Sequence, residues 1–353
     1  MKKFLTMTTL AAMGAIIACN SGQNQTTVQT ETPQTNTDSV LMELAKSTFG
    51  TLPEVVTNPD NEISNDKVLL GRVLFFDTRL SKKGNISCNS CHALDKFGVD
   101  NEPTSPGDDG IRGGRNSPTV LNAALQFMQF WDGRAKDVEE QAGGPILNPV
   151  EHNIPDSGFL IKKLSKIQIY KDLFAKAFPN DKTPITYTNL TKAIGAFERT
   201  LITPSRVDKF IAGDATALTD EEKSGFKIFM DAGCNTCHNG PAAGGMLLQK
   251  FGVYGDYWTE TKCAKVDSGR YDVTKNEADK YFFKVPSLRN IEKTFPYFHD
   301  GGVSDLNEAV RIMGKIQLGK DLTQEQITSI VSFLKAFTAD IPEDLKHAPE
   351  GYL

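Results

Sequence analysis

An excess of positive charge is what this chain of 353 residues most plainly lacks: 39 lysines and arginines stand against 44 acidic residues, a formal net charge of −5. No basic tract interrupts that balance, so there is no cationic face to neutralise phosphates, and nucleic-acid binding is disfavoured. Long apolar runs are also scarce. Past the first residues none approaches the roughly 20 that a membrane-spanning helix needs. Strand-like alternation is rare, which points away from a β fold. Histidine (five), cysteine (six) and tryptophan (two) are few, and four of the six cysteines fall in two short motifs.

Those motifs are "ISCNSCH", with Cys88, Cys91 and His92, and "AGCNTCH", with Cys234, Cys237 and His238. Cys-x-x-Cys followed directly by histidine is the pattern of covalent c-type haem attachment. Its thiols form thioethers to the porphyrin and its imidazole reaches the iron. The competing reading, one Cys₄ zinc site from the two pairs, leaves both histidines unexplained and needs pairs far apart in sequence to converge.

The chain begins with Lys2 and Lys3, an apolar run and small residues before Cys19, which reads as a secretory signal over residues 1–19. "IIAC" resembles a bacterial lipobox, which would make Cys19 an acylated anchor; an ordinary signal peptide cleaved nearby is the other reading. Residues 20–40 are polar and aperiodic, a flexible tether. The expectation is a membrane-anchored lipoprotein facing the periplasm or the cell surface, and export suits covalent haem. Cys263 is left over as an unpaired, partly buried thiol.

Helical periodicity dominates the remainder. Leu190, Ile194, Phe197 and Leu201 share one face, as do Ile327, Ile330, Val331, Leu334 and Phe337. Thr219 with Glu222, and Thr323 with Gln326, have capping-box spacing. "GRVLFFD" (Gly71 to Asp77) and "GFKIFMD" (Gly225 to Asp231) share Gly-x-x-x-Phe-x-Asp, each ahead of its own haem motif. The expected fold is mostly α, with two cytochrome-c-like haem domains and long loops. The domains are placed at 41–202 and 203–340, with a tail at 341–353.

A haem with two protein ligands carries electrons, whereas one with an open position activates a small molecule. In the second half Met313 follows His238 in the order of a His/Met cytochrome, although core packing beside Leu306, Ala309 and Val310 fits the spacing equally well. In the first half no histidine lies between His92 and His152, but Trp131, Gln141 and Glu151 fall ten residues apart. A carboxylate in the apolar setting of "GGPILNPVEHN" suits proton transfer, because burial raises its pKa. Taken singly, Trp131 reads as core, and Gln141 and Glu151 as surface.

From about residue 45 to 340 the ordered motifs "LLGRVLFFDTRLS", "ISCNSCH", "RNSPTVLNA", "QFWDGRA", "KVPSLRNI", "PYFHDGG" and "IMGKIQLG" resemble the bacterial di-haem cytochrome c peroxidases. The resemblance implies a low-potential peroxidatic haem on His92 and a high-potential electron-accepting haem on His238 and Met313. It places Glu151 and Gln141 in the peroxide pocket and Trp131 between the haems. It also implies a calcium ion held by the Asn116 side chain and the carbonyls of Thr294 and Pro296, and it puts His299 near the C-terminal haem. Its partners would be hydrogen peroxide and a small donor, a cytochrome c or cupredoxin; a homodimer is left open. One position departs from the pattern. Where many members carry a histidine that blocks the peroxidatic iron until the other haem is reduced, this loop, "TSPGDDGIRGGRNSP", has Asp108. A MauG-type oxidase of a partner protein, whose branch has tyrosine at the Met313 position, and a di-haem carrier without turnover are the alternatives.

Overall fold

The computed structural model describes residues 33–353, with side chains from residue 37 onward. The signal segment, Cys19 and the first part of the tether lie outside the described residues. The fold is mostly helical, with a single two-stranded sheet among the described residues. No helix there is long and apolar enough to cross a membrane.

Two helix pairs organise the molecule, and the repeated sequence motif explains both. Helix Asn65–Phe76 packs on helix Tyr187–Glu198, and helix Asp220–Ala232 packs on helix Gln324–Lys335. At Gly71 an added Cβ would stand 1.9 Å from the Ala193 carbonyl oxygen; at Gly225 it would stand 1.9 Å from that of Ser329. One turn on, Phe75 meets Phe197 with ring centroids 5.5 Å apart, and Phe229 meets Phe333 at the same 5.5 Å. Each motif therefore builds the same close crossing: glycine lets the backbones touch and phenylalanine fills the space beside them. The expected helical faces are buried in these crossings, and Thr219/Glu222 and Thr323/Gln326 form their capping boxes.

The two halves have separate cores but exchange their ends. Helix Pro33–Phe49 begins inside the segment expected to be tether, because residues 33–40 continue a helix whose Leu41, Ala45 and Phe49 have a core to cover. That core is not the N-terminal one. Phe49 sits among Phe226, Phe229, Phe333 and Phe337 of the C-terminal half, and Asp38 pairs with Lys223. In return, Ile341 and Leu345 of the tail pack beside Phe75, Leu94, Leu121 and Phe197. The sheet pairs Leu248–Lys250 antiparallel with Phe282–Lys284, strands of three residues that are too short to show a period in the sequence.

Candidate active site and electron-transfer site

Helix Asp220–Ala232 ends at Gly233, whose φ of 93° is left-handed backbone that glycine adopts without strain. The chain turns at once into Cys234–Thr236. Cys234, Cys237 and His238 line a cavity of about 390 Å³, and Met313 lines the same cavity. Met313 opens the π-helical turn Met313–Gln317 that follows helix Leu306–Ile312, with the Leu318 amide donating to the Met313 carbonyl. Such turns re-aim side chains and recur at functional sites.

The residues present fit a c-type haem. The cavity is in the size range of cofactor sites. Burial pushes the His238 imidazole down to about 4, so it is neutral, the form that binds a metal. Its Nδ1 is buried and meets no partner at hydrogen-bond geometry, yet the Ala243 and Pro286 carbonyls lie beside it and oppose that shift. Carbonyls so placed orient a ligating imidazole. Gly244 makes the approach possible, since a Cβ there would be 2.2 Å from the Pro286 oxygen. His238 and Met313 would hold the haem iron.

The N-terminal motif is a helical turn, Cys88–Cys91, started by the reciprocal cap of Ser87 and Ser90 and ended by His92. Burial lowers the His92 pKa too, with the Pro118 and Gly98 carbonyls opposing. All four motif thiols are held above their ordinary range by burial, Cys91 and Cys234 at about 11. A redox-active Cys-x-x-Cys pair needs the opposite shift. Among the described residues no three or more His, Cys, Asp or Glu side chains converge to hold a metal ion, so the two pairs do not form a zinc site.

Glu151 lies in the turn after helix Val138–Leu147, which starts on its Asp137 cap. The Asn148 amide donates to Glu151 Oε1 at 2.7 Å. Burial raises the Glu151 carboxyl pKa, opposed by the Arg134 charge and the Asn148 bond. The charge of Glu151 acts on the Cys91 thiol, so the carboxylate lies within electrostatic reach of the haem motif. The Arg134 guanidinium sits 3.5 Å from the Phe130 ring centroid. Gln141 is half-buried on the same helix as Gly143 and Gly144, but no hydrogen bond joins it to Glu151.

Asp108 is buried, and both its carboxylate oxygens accept the Lys83 amide at 3.1 Å. Its own amide donates to the Glu151 carbonyl at 2.8 Å. Gly107 presses the loop onto the same segment, since a Cβ there would be 1.9 Å from the Val150 oxygen. His152 is buried with Nδ1 3.1 Å from the Leu80 carbonyl oxygen. Because a carbonyl only accepts, that contact puts the proton on Nδ1.

Trp131 belongs to the N-terminal half in sequence, yet it lines the C-terminal cavity. Its indole N–H donates to the Asn116 carbonyl at 2.9 Å, and its own carbonyl accepts from the Lys284 amide at 2.7 Å. Asn116 to Thr119 line that cavity, while the Pro118 carbonyl lies at His92. One short segment thus reaches His92 and lines the cavity of the C-terminal motif, with Trp131 bonded to it. His299 stacks on Phe283 at 4.2 Å in the same cavity wall, and its carbonyl accepts from the Asn116 amide.

The three residues expected at calcium, Asn116, Thr294 and Pro296, all belong to this cavity. The Asn116 amide nitrogen is occupied by the Glu102 carbonyl, which leaves Oδ1 as its remaining acceptor. Asn101 donates to the carbonyls of Lys293 and Phe295, the residues that alternate with Thr294 and Pro296. Cys263 is half-buried and unpaired. Sequence reasoning missed Asn148, Arg134 and Lys284. The one legible signal was a lysine inside the apolar stretch "YFFKVP".

Comparison with known proteins fits this geometry. A model of the family described as di-haem cytochrome c peroxidase matches residues 65–216. The cytochrome c551 peroxidase of Nitrosomonas europaea is 48% identical over 82% of this chain and 84% of its own length. That of Pseudomonas aeruginosa is 44% identical over 88% of this chain and 90% of its own length. Among solved structures, a MauG-like protein associated with microbial copper homeostasis superposes with a TM-score of 0.74 at 28% identity, covering 84% of this chain and 95% of its own. By that likeness in sequence and in fold, the chain belongs to the di-haem cytochrome c peroxidase family and is a haem oxidoreductase.

Proposed function

We propose that the protein reduces hydrogen peroxide to two waters at the His92 site, using two electrons that a small redox protein delivers to the His238/Met313 site. The observation that carries this reading is an asymmetry. A buried carboxylate with a raised pKa lies within electrostatic reach of the N-terminal motif, whereas Met313, whose thioether could be a second iron ligand, lines the cavity of the C-terminal one. A haem with an open axial position supplies an iron that can bind peroxide, and one with two protein ligands passes electrons.

Glu151 takes the proton from the peroxide oxygen nearer the iron and returns it to the far oxygen, which leaves as water; two electrons and two protons complete the second water. Asn148 fixes the carboxylate by its 2.7 Å bond, and the Arg134 charge opposes the rise in its pKa that burial causes. Gln141 orients the substrate from the preceding helix. Asp108 is engaged with the Lys83 amide and does not block the pocket. Electrons cross through Trp131 and the Asn116–Thr119 segment bonded to it. Calcium, held by Asn116 Oδ1 with the Thr294 and Pro296 carbonyls, ties the two halves at that crossing; oxygen-only donors are what calcium selects. Cys19 anchors the protein as an exported lipoprotein.

A pure electron carrier has no use for Glu151. The test is peroxide consumption by the two-haem protein with a reduced small cytochrome c. Turnover that needs both donor and peroxide is expected, and oxidation of the donor at the same rate without peroxide contradicts the reading.

A further inference from the structure

Lys284 closes the strand Phe282–Lys284 and is only 5% exposed. Its ammonium donates to Gln126 Oε1, which is neutral. No carboxylate pairs with it among the described residues. Arg199, Lys223 and Arg289, the other buried lysine and arginine side chains among the described residues, each have an acidic partner. A buried charge is costly unless it is paired, and burial alone depresses this amine to about 8, which still leaves it protonated at neutral pH.

The place of Lys284 supplies the missing partner. Lys284 and Gln126 line the cavity that His238, Met313 and Trp131 also line. Gln126 is wedged against Gly245, where a Cβ would come within 2.5 Å of its Cγ, so the amide is held and the ammonium with it. A haem held by His238 and Met313 would carry two propionate carboxylates into the site. We propose that the Lys284 ammonium, oriented by Gln126, is the counter-ion of a propionate of the C-terminal haem, and so a positioning residue that sets how readily this haem takes up an electron. The inference rests on the reading of His238 and Met313 as axial ligands. A cation beside the haem favours the reduced state, whose net charge is lower by one.

The experiment is a spectroelectrochemical titration of both haems in the full two-haem protein, comparing wild type with Lys284→Met and Lys284→Arg. Lys284→Met is expected to shift the reduction equilibrium of the C-terminal haem about tenfold toward the oxidised form, about 59 mV for one electron. The N-terminal haem should keep its potential, and Lys284→Arg should retain most of the wild-type value. If Lys284→Met incorporates fewer than two haems, Lys284→Gln carries the same comparison. Unchanged C-terminal potential in the neutral variant, or an equal shift of both haems, overturns the proposal. Met313→Leu in the same titration separates the two ideas. A Met313 effect without a Lys284 effect sinks only this inference, and no Met313 effect sinks the reading beneath it.

Discussion

His238 and Met313 line the same cavity, although the sheet, several loops and helix Leu306–Ile312 lie between them in the chain. Spacing left Met313 open to an ordinary packing role. Its place at the start of a π-helical turn, on the wall of the cavity that holds the cysteine pair and His238, favours ligation. Thioether ligation raises a haem potential relative to imidazole. Met313→His is therefore expected to lower the C-terminal potential, and Met313→Leu to make that haem high-spin, with two haems still bound. Turnover with a high-potential donor should collapse in both. Visible spectra and a redox titration check this; unchanged potentials in both variants reduce Met313 to packing.

Glu151 gives a prediction with a sign. Its carboxyl pKa is raised by burial, while Asn148 and Arg134 pull it back down. The carboxylate form accepts the first proton, so activity is present above the folded pKa and falls as pH drops through it. The acid limb of kcat/KM should lie above the ordinary carboxylate pKa. Asn148→Ala and Arg134→Met remove the two opposing influences, so each should move that limb to higher pH. Glu151→Gln should erase it and cost about 10²–10⁴-fold in turnover. Limbs that stay in place in both neighbouring variants would detach Glu151 from the proton step.

Gly71 and Gly225 make matched stability predictions. A Cβ at either position would stand 1.9 Å from a carbonyl oxygen of the facing helix, so backbone has to move. Overpacking of this kind costs about 1–3 kcal/mol. Gly71→Ala and Gly225→Ala should each destabilise the protein by at least that much in denaturant unfolding. Gly114, with nothing near its Cβ position, should tolerate alanine. Equal stability of all three variants would mean that the helix crossings are not built this way.

The repeat that carries those glycines was legible because it is local: a glycine and a phenylalanine one turn apart sit in both copies. Helical faces and capping boxes were legible for the same reason. What was not legible depends on distant packing. Nothing in residues 33–40 says that their helix will dock on Phe226 and Phe333, and a polar composition reads as tether until a core asks for the apolar face that follows. Asn148 beside Glu151 and Lys284 beside Gln126 are contacts fixed by turns and by a three-residue strand too short to show a period. The haem motifs gave one candidate ligand for each iron, and Met313, expected from the family resemblance, lies on the wall of the cavity that His238 lines.

Asp108 and His152 decide whether the N-terminal iron is open. The Asp108 carboxylate is buried and bonded to the Lys83 amide, so pulling it away to ligate would break that contact. His152 is held through Nδ1 at the Leu80 carbonyl. Electron paramagnetic resonance of the oxidised protein is expected to show one high-spin and one low-spin ferric haem, and turnover should need no reductive pre-activation. Two low-spin haems would contradict this, and conversion to high-spin in His152→Ala would name His152 as the blocking ligand.

The most direct measurement of the central claim is a titration of the two-electron-reduced protein with hydrogen peroxide, without external donor, reading both haems by absorbance. Reduction of one peroxide to two waters consumes two electrons, so one equivalent should return both haems to the ferric state, rapidly in wild type and slowly in Glu151→Gln. Reduced haems that survive a full equivalent of peroxide, or that oxidise at the same rate without Glu151, would contradict the account.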